Sequence, residues 1–252
     1  PPTRPGLILV GCPPEEEHAF GPLLLTLLLR RRGWRVVYLG AAVPVHRMAT
    51  TLQSIEPDLV VMSAQRLHTA ATLLDMASAL QKQHIPLAFG GRIFNQLPEL
   101  TTRFHGYFLG RTLTESLHTI ERLVNETPPA LLDISPVTEA HRQAAAHFQR
   151  RRPLIEADIV RLLPDSPLAD MPPAHLATAN RELGNDLFAA LKLGDVHFVQ
   201  SDVSWVEGMI QNYNLPAAEL HLYLTLYRRA AQTHLGETCQ PVLDWLAQQA
   251  SQ

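Results

Sequence analysis

Residues 7–22 read LILVGCPPEEEHAFGP, and this stretch decides the fold. Leu7–Cys12 is a short apolar run that two prolines end, which is typical of a strand buried on both faces of a parallel sheet. Residues from His18 to Arg32 are predicted to form a helix, because Gly33 follows them as a stop signal. The stretch therefore predicts a buried strand, a polar loop and a helix.

The same alternation continues to residue 126. Four more apolar runs predict strands, at Val36–Leu39, Leu59–Ser63, Leu87–Phe89 and Tyr107–Leu109. Helices are predicted around Val45–Ser54, Ala70–Gln83, Leu97–Arg103 and Leu113–Glu126. Strands and helices that alternate in this way form a doubly wound parallel sheet with helices on both faces. We therefore expect residues 1–126 to be an α/β domain with a flavodoxin-like, five-stranded parallel sheet.

The rest of the chain has a different pattern. Residues 127–173 hold eight of the chain's 20 prolines, so only short helices fit there, at Glu139–Arg150 and Leu154–Leu163. From residue 174 onward, apolar residues recur at helical spacing and must be buried against one another. We predict a proline-rich linker over 127–173 and an all-α helical bundle over 174–252. The predicted helices of the bundle are Ala174–Leu193, Val196–Tyr213, Leu215–Leu235 and Thr238–Gln249.

Composition excludes several classes of protein. The chain has 252 residues, of which 46% are hydrophobic and 18% charged, so it is not a disordered chain. The net charge of −3 argues against direct nucleic-acid binding. No apolar run approaches the ~20 residues of a membrane span, so no membrane association is expected. Two distant cysteines, Cys12 and Cys239, and the lack of a signal-peptide pattern lead us to expect a cytoplasmic protein.

The loop after the first predicted strand carries the residues with chemistry, because ligands of open parallel sheets bind at the carboxyl ends of the strands. Glu15, Glu16 and Glu17 at the start of a helix would interact favourably with its dipole, which is the simplest explanation for them. A protonated His18 would be disfavoured there, so we expect a neutral imidazole that can ligate a metal. The carboxylate of Glu16 could then accept the other ring N–H.

Three motifs, in order, resemble the cobalamin-binding domain family over about residues 6–125. Glu16-x-His18-x-x-Gly21 resembles the Asp/Glu-x-His-x-x-Gly signature of that family. The other matching residues end the third, fourth and fifth predicted strands: Ser63, Gly90, Gly91 and Gly110. Two positions depart from the common pattern. Glu at position 16, where Asp is more common, is found mainly in cobalamin-dependent light-sensing regulators, and Gln65 stands where Leu is usual.

The resemblance implies a base-off cobalamin at this edge of the sheet. His18 would be the lower axial ligand of the cobalt, and Glu16 would hold its second ring nitrogen. The dimethylbenzimidazole tail would lie between the sheet and a helix, near Ser63 and the two glycines, for which a plain tight turn is the alternative explanation. The cofactor-binding residues so implied are Glu16, His18, Gly21, Ser63, Gln65, Gly90, Gly91 and Gly110.

The predicted helical domain bears on the use of the cofactor. A helical domain that follows the sheet resembles the photocobilins, light sensors that pair cobalamin with a bilin. Small, polar and aromatic residues share one predicted helix face or lie on the next helix: His197, Ser201, Ser204, Trp205, Gly208, His221, Tyr223 and Tyr227. Tetrapyrrole pockets need apolar bulk and a few placed donors. We take His197, Trp205 and His221 as candidate contacts of biliverdin or cobalt, with a polar bundle surface as the alternative.

The function implied by the resemblance is a light-sensing module, in which light cleaves the cobalt–carbon bond of adenosylcobalamin and the helical domain repacks. Its partners would be tetrapyrroles and either further copies of the chain or an attached output domain. The alternatives are a corrinoid methyl carrier of a methyltransferase and a cobalamin-binding module or chaperone. Common enzyme motifs are missing, namely Gly-x-Ser-x-Gly, the Walker loop and Gly-x-Gly-x-x-Gly.

Overall fold

The computed structural model describes residues 1–126, 128–131, 134–200 and 217–250. The chain forms two compact units that meet in sequence between Pro136 and Val137. Among the described residues, no helix has both the length and the apolar character that crossing a membrane requires.

The first unit is built on a five-stranded sheet. Its strands are β1 (Leu7–Gly11), β2 (Arg35–Gly40), β3 (Leu59–Ser63), β4 (Leu87–Gly90) and β5 (Tyr107–Phe108). They are hydrogen-bonded in the order β2-β1-β3-β4-β5, and every pair is parallel. The predicted flavodoxin-like α/β fold is therefore confirmed. In this order β1 and β3 are neighbours, so the loops that follow them lie side by side.

Five α-helices connect or follow these strands. They are α1 (Phe20–Arg31), α2 (Val45–Ser54), α3 (Leu67–Lys82), α4 (Arg92–Gln96) and α5 (Leu113–Asn125). A 3₁₀ helix, Pro98–Arg103, stands where a helix was predicted at Leu97–Arg103. The prediction that the first helix begins at His18 is wrong by two residues. A turn in which the Ala19 N–H binds the Glu17 carbonyl precedes α1, at 2.9 Å.

The core of the first unit holds the sheet against α1 and α5. Its buried apolar residues come from four strands, both helices and the positions next to β2 and β5: Ile8, Val10, Leu25, Leu29, Trp34, Val36, Leu59, Val61, Ala88, Leu109, Leu117, Ile120 and Leu123. Burial of this much apolar area is the main stabilising contribution to such a domain. The strand ends and the first turns of α1 and α5 are therefore placed by one continuous core.

The second unit is helical in all of its described residues. Its elements are α6 (Glu139–Leu162), α7 (Pro173–Leu193), α8 (Ala217–His234) and α9 (Gln240–Gln249), with short 3₁₀ helices at Leu163–Asp165, Val196–Val199 and Glu237–Cys239. Helix α6 packs against α7 and α8, and α8 packs against α9. The predicted all-α region after the sheet is therefore present.

The structure differs from the predicted linker over 127–173. Instead of two short helices, one helix of 24 residues runs through Pro153. Thr138 caps it by accepting the His141 N–H at 3.3 Å, and buried residues such as Phe148 and Ile155 lie on both sides of the proline. A proline inside a helix removes one backbone hydrogen bond, and the continuous apolar face here offsets that loss. The helical unit thus begins near residue 137 rather than 174.

Residues 194 and 195 separate the two helices predicted over Ala174–Leu193 and Val196–Tyr213. Gly194 ends α7 with a left-handed φ of 90°, and the Asp195 side chain caps the following turn by accepting the His197 N–H at 2.9 Å. The structure describes a 3₁₀ helix over Val196–Val199 there. Residues 201–213 of the helix predicted over Val196–Tyr213 lie outside the described residues.

Candidate functional site

A cavity of about 300 Å³ lies at the carboxyl ends of β1, β3 and β4, against the first turns of α1 and α5. Its floor is apolar, with Val10, Leu25, Val61 and Leu109 among its residues. The polar groups that line it include Ser63, Gln65, Arg92, Asn95, Arg111, Thr112 and Ser116. A cavity with an apolar floor and a polar, cationic rim suits a flat apolar group that carries polar or anionic substituents.

Six of the eight residues predicted in this unit line the cavity: Gly21, Ser63, Gln65, Gly90, Gly91 and Gly110. A Cβ at Gly21 would meet no atom within 4 Å, so this part of the wall is open. Gly91 is different, because its φ is 120° and a Cβ would overlap the Ala64 backbone. The glycine pair is therefore consistent with both a tight turn and a cofactor-binding role: the close turn requires glycine at position 91, and both glycines border the cavity.

The remaining two predicted residues, Glu16 and His18, lie in the loop between β1 and α1. The Glu16 side chain is fully buried. Its Oε2 accepts the Gln65 backbone N–H at 2.7 Å and the Thr69 hydroxyl at 2.6 Å. Its Oε1 accepts the His18 backbone N–H at 2.9 Å and contacts His18 Nδ1 at 2.7 Å. The predicted contact between Glu16 and the histidine ring is therefore present, and Gln65 connects the same carboxylate to the cavity wall.

The charge of Glu16 determines which ring nitrogen of His18 carries the proton. Burial raises the pKa of Glu16, but hydrogen bonds from Thr69, Gln65 and His18 outweigh burial and hold that pKa below its ordinary value. An ionised carboxylate only accepts hydrogen bonds, so His18 Nδ1 must be the donor. In the neutral ring, Nε2 then carries a lone pair, as a metal ligand requires.

The position of His18 leaves that nitrogen accessible. The His18 side chain is 65% exposed, although its Nδ1 is bound to a buried group. Within the described part of the chain, no hydrogen bond to Nε2 is found. A ring held at one nitrogen and open at the other is oriented as the axial-ligand role implied by the family resemblance would require.

The expectation that the three glutamates stabilise the N-terminus of a helix is wrong. Helix α1 has no acidic residue in its first turn, since the helix begins after the glutamates. Glu15 is exposed and has a left-handed φ of 67°, and Glu17 is also exposed. Only Glu16 points into the protein, so the acids of this loop have different roles.

Sequence reasoning missed several residues of the site. Thr69 is 1% exposed and supplies a hydroxyl to Glu16, and it also closes the first turn of α3 by accepting the Arg66 N–H at 3.2 Å. Arg92 and Arg111 line the cavity. The two arginines directly follow Gly91 and Gly110, which come after β4 and β5. This position at the ligand-binding ends of the strands is the sequence feature that could have indicated them. Thr69 has no comparable signal, because its role depends on contact with a residue 53 positions away.

The candidates in the helical unit are described within that unit. His197 is exposed, and its Nδ1 contacts Asp195 at 2.9 Å. His221 Nδ1 contacts the Gln249 carbonyl at 3.3 Å. Tyr223 and Tyr227, expected as pocket residues, are buried in the unit's core. Trp205, like Ser201, Ser204 and Gly208, lies outside the described residues.

Both cysteines are buried and poorly suited to covalent attachment of a chromophore. Cys239 donates to the Ala144 carbonyl at 3.4 Å, and burial raises the pKa of its thiol to about 11. Burial, with the nearby charges of Glu16 and Glu17, raises the pKa of Cys12 to about 12. The thiolate is the reactive form of cysteine, so both side chains are predominantly neutral packing residues.

Fold and site together define a doubly wound α/β domain that presents an oriented imidazole next to a cavity at the switch edge of the sheet. The model of the B12 binding domain family matches residues 6–124. Residues 6–124 therefore form a domain of that family. The matched residues include every site position described above in the first unit.

Three curated relatives match parts of the chain. An uncharacterised 20.5 kDa protein in the bchF-crtJ intergenic region of Rhodobacter capsulatus is 32% identical over 98 residues, which is 38% of this chain and 51% of that protein. The HTH-type transcriptional repressors CarA and CarH of Myxococcus xanthus are 38% identical over 58 residues and 33% identical over 86. These matches cover 23% and 33% of this chain, and 20% and 29% of the repressors. The chain thus spans about half of the first relative and less of the others.

Two solved structures are also similar. The methanol:cobalamin methyltransferase complex MtaBC from Methanosarcina barkeri is 23% identical with a TM-score of 0.46, over 53% of this chain and 50% of that chain. A novel cobalamin-binding protein from Desulfitobacterium hafniense is 16% identical with a TM-score of 0.44, over 48% and 60% of the two chains.

Replacing Glu16 with Gln should destabilise the first unit at neutral pH. All four groups that face the carboxylate donate hydrogen bonds, so an amide NH₂ would leave at least one buried donor unpaired, at about 1–3 kcal/mol each. Because the pKa of Glu16 is lowered on folding, its contribution is present above the ordinary pKa of 4.5 and is lost as the pH falls below it. The difference between wild type and variant should therefore shrink below pH 4.5.

Hydrogen–deuterium exchange of peptides from β1 and β3, measured in urea at pH 7 and pH 4, checks this prediction. The control is Glu17→Gln, which changes an exposed neighbour. Equal stability of Glu16→Gln and wild type at pH 7 would contradict the role assigned to the buried carboxylate.

Proposed function

We propose that this chain is a light-responsive cobalamin-binding module with a regulatory role. The observation that carries the proposal is the pair formed by buried Glu16 and His18, 2.7 Å apart, beside the cavity at the sheet edge. Membership of the B12 binding domain family supplies the cofactor class, and the pair supplies a ligand for its metal.

The described residues fit such a cofactor in three respects. His18 Nε2 would ligate the cobalt, and Glu16 would hold the proton on Nδ1. The cavity would receive the nucleotide tail, with its apolar floor under the benzimidazole and the rim of Arg92 and Arg111 near the tail phosphate. Bound adenosylcobalamin would supply a cobalt–carbon bond that light can break.

A regulatory role is favoured over catalysis by the relatives. Two of them are described as HTH-type transcriptional repressors, and Glu at position 16 resembles the pattern of light-sensing regulators. In this proposal the helical unit is the element that changes its packing when the upper ligand leaves, and the change alters assembly of copies or an attached output domain.

Light should change the spectrum of the protein. Full-length protein loaded with adenosylcobalamin in the dark should show an altered absorption spectrum after green light, and its size by gel filtration should change as well. A control loaded with hydroxocobalamin, which lacks the cobalt–carbon bond, should show neither change after the same illumination. An unchanged spectrum would eliminate light sensing. Methyl transfer to a thiol or to tetrahydrofolate with a cognate enzyme would indicate a corrinoid methyl carrier instead.

His18→Ala should alter the cobalt spectrum without unfolding the protein. Loss of the imidazole should shift the absorption of bound cobalamin towards a form without a nitrogen lower ligand, while the thermal midpoint stays near wild type because the side chain is largely exposed. The matched control is His105→Ala, which removes an exposed histidine just before β5 at the opposite edge of the sheet. A spectrum that is the same in all three proteins would show that His18 is not the ligand.

Biliverdin is proposed as a second chromophore of the helical unit, with His197, Trp205 and His221 as candidate contacts. Noncovalent binding is favoured, because the buried Cys239 is a poor nucleophile. Protein purified with biliverdin should absorb in the far red and lose the pigment on denaturation. Protein without far-red absorbance would be a sensor of cobalamin alone.

A further inference from the structure

We infer that Gln65 is a positioning residue that turns the Ser63 hydroxyl into a hydrogen-bond donor facing the cavity, and that it thereby selects corrinoids with a complete nucleotide tail. This inference rests on the proposed cobalamin binding and specifies how one part of the ligand is recognised. Gln65 is also a position where the sequence departs from the family pattern, so its role is particular to chains that carry an amide there.

Gln65 connects the ends of three strands. Its backbone N–H binds Glu16, in the loop after β1, at 2.7 Å. Its side-chain Nε2 donates to the hydroxyl oxygen of Ser63, the last residue of β3, at 2.8 Å. Its Oε1 accepts the backbone N–H of Arg92, just after β4, at 3.0 Å. The axial-ligand loop and the two loops that border the tail cavity are therefore joined through one residue.

The orientation of the Gln65 amide is determined by its partners. A backbone N–H can only donate, so the amide atom that faces Arg92 must be the oxygen. The NH₂ group is then the one that faces Ser63. A leucine at this position could make neither contact.

The amide determines the polarity of Ser63. A serine hydroxyl has one proton and an oxygen that accepts. Because the Gln65 amide already donates to that oxygen, the serine proton is free to point elsewhere. Ser63 and Gln65 both line the cavity, so a tail atom that accepts a hydrogen bond would be the favoured partner of that proton.

The binding test compares two probes, cobalamin and cobinamide, which lacks the nucleotide tail. Dissociation constants are measured in the dark on the full chain. Gln65→Leu removes the amide, and we expect about 5-fold weaker cobalamin binding, because one neutral hydrogen bond contributes about 1 kcal/mol. In Gln65→Glu, one carboxylate oxygen still accepts the Arg92 N–H, and the other accepts the Ser63 hydroxyl proton. The Ser63 oxygen then presents a lone pair to the tail atom, and we expect cobalamin affinity to fall roughly 10- to 100-fold.

Cobinamide affinity should change by no more than about twofold in either variant, since a contact to the missing tail cannot be lost. If Gln65 only linked the loops, the variants would rank differently in affinity. Gln65→Glu would retain the link and bind cobalamin like wild type, and Gln65→Leu would bind both cobalamin and cobinamide more weakly. The control is Gln81→Glu, which adds the same charge on an exposed position of α3.

A double-mutant cycle separates hydroxyl polarity from the added negative charge. In a Ser63→Ala background, the tail-specific effect of Gln65→Glu should fall to about twofold or less, because the hydroxyl it acts on is gone. An effect of the same size in both backgrounds would show that charge repulsion acts alone and would overturn the inference. Cobalamin binding that is equal in wild type and both Gln65 variants would overturn it as well.

The outcome also distinguishes this inference from the proposed function. If wild type binds neither probe, the proposed function fails and the inference fails with it. If wild type binds cobalamin with a His18-dependent spectrum but the Gln65 variants do not discriminate between the probes, the proposed function stands and only the role of Gln65 is wrong.

Discussion

A buried, ionised carboxylate is the interaction on which the site depends. Glu16 has no exposed surface, and an isolated charge in that position would be strongly unfavourable. Four hydrogen bonds from three residues compensate for its burial. The same bonds hold the β1 loop against the start of α3 and assign the His18 proton to Nδ1. Structural stability and ligand chemistry are therefore coupled at one side chain.

The sheet order explains why such a small set of loops can build the site. Because β1 lies between β2 and β3, the loop after β1 reaches the residues that follow β3, and the loop after β4 lies next to those. Gln65 joins the three loops. The continuous core lies beneath these loops, and several of its residues also form the apolar floor of the cavity.

Polar side chains connect the helices of the second unit. Tyr223 donates to Asn180 at 2.9 Å inside the unit, and Tyr227 is buried beside it with ring centroids 6.0 Å apart. Arg152, on α6, binds Glu156 at 2.6 Å and Asn185 at 2.7 Å. These contacts link α6, α7 and α8 through their polar groups, and buried networks of this kind favour one packing arrangement over others.

The sequence by itself determined the alternation of strands and helices, the parallel sheet and the pair Glu16 and His18, because short apolar runs, turn residues and a local motif are properties of neighbouring residues. It did not predict the continuous helix through Pro153, since the apolar face that compensates for the proline is defined only by α7 and α8. The simplest explanation of the three glutamates, a helix N-terminus, was wrong, and the sequence did not show that Glu16 is buried against Gln65 and Thr69. Tertiary structure alone decided the burial and the lowered pKa of Glu16, because its hydrogen bonds from Gln65 and Thr69 form only when the loop after β1 meets the start of α3.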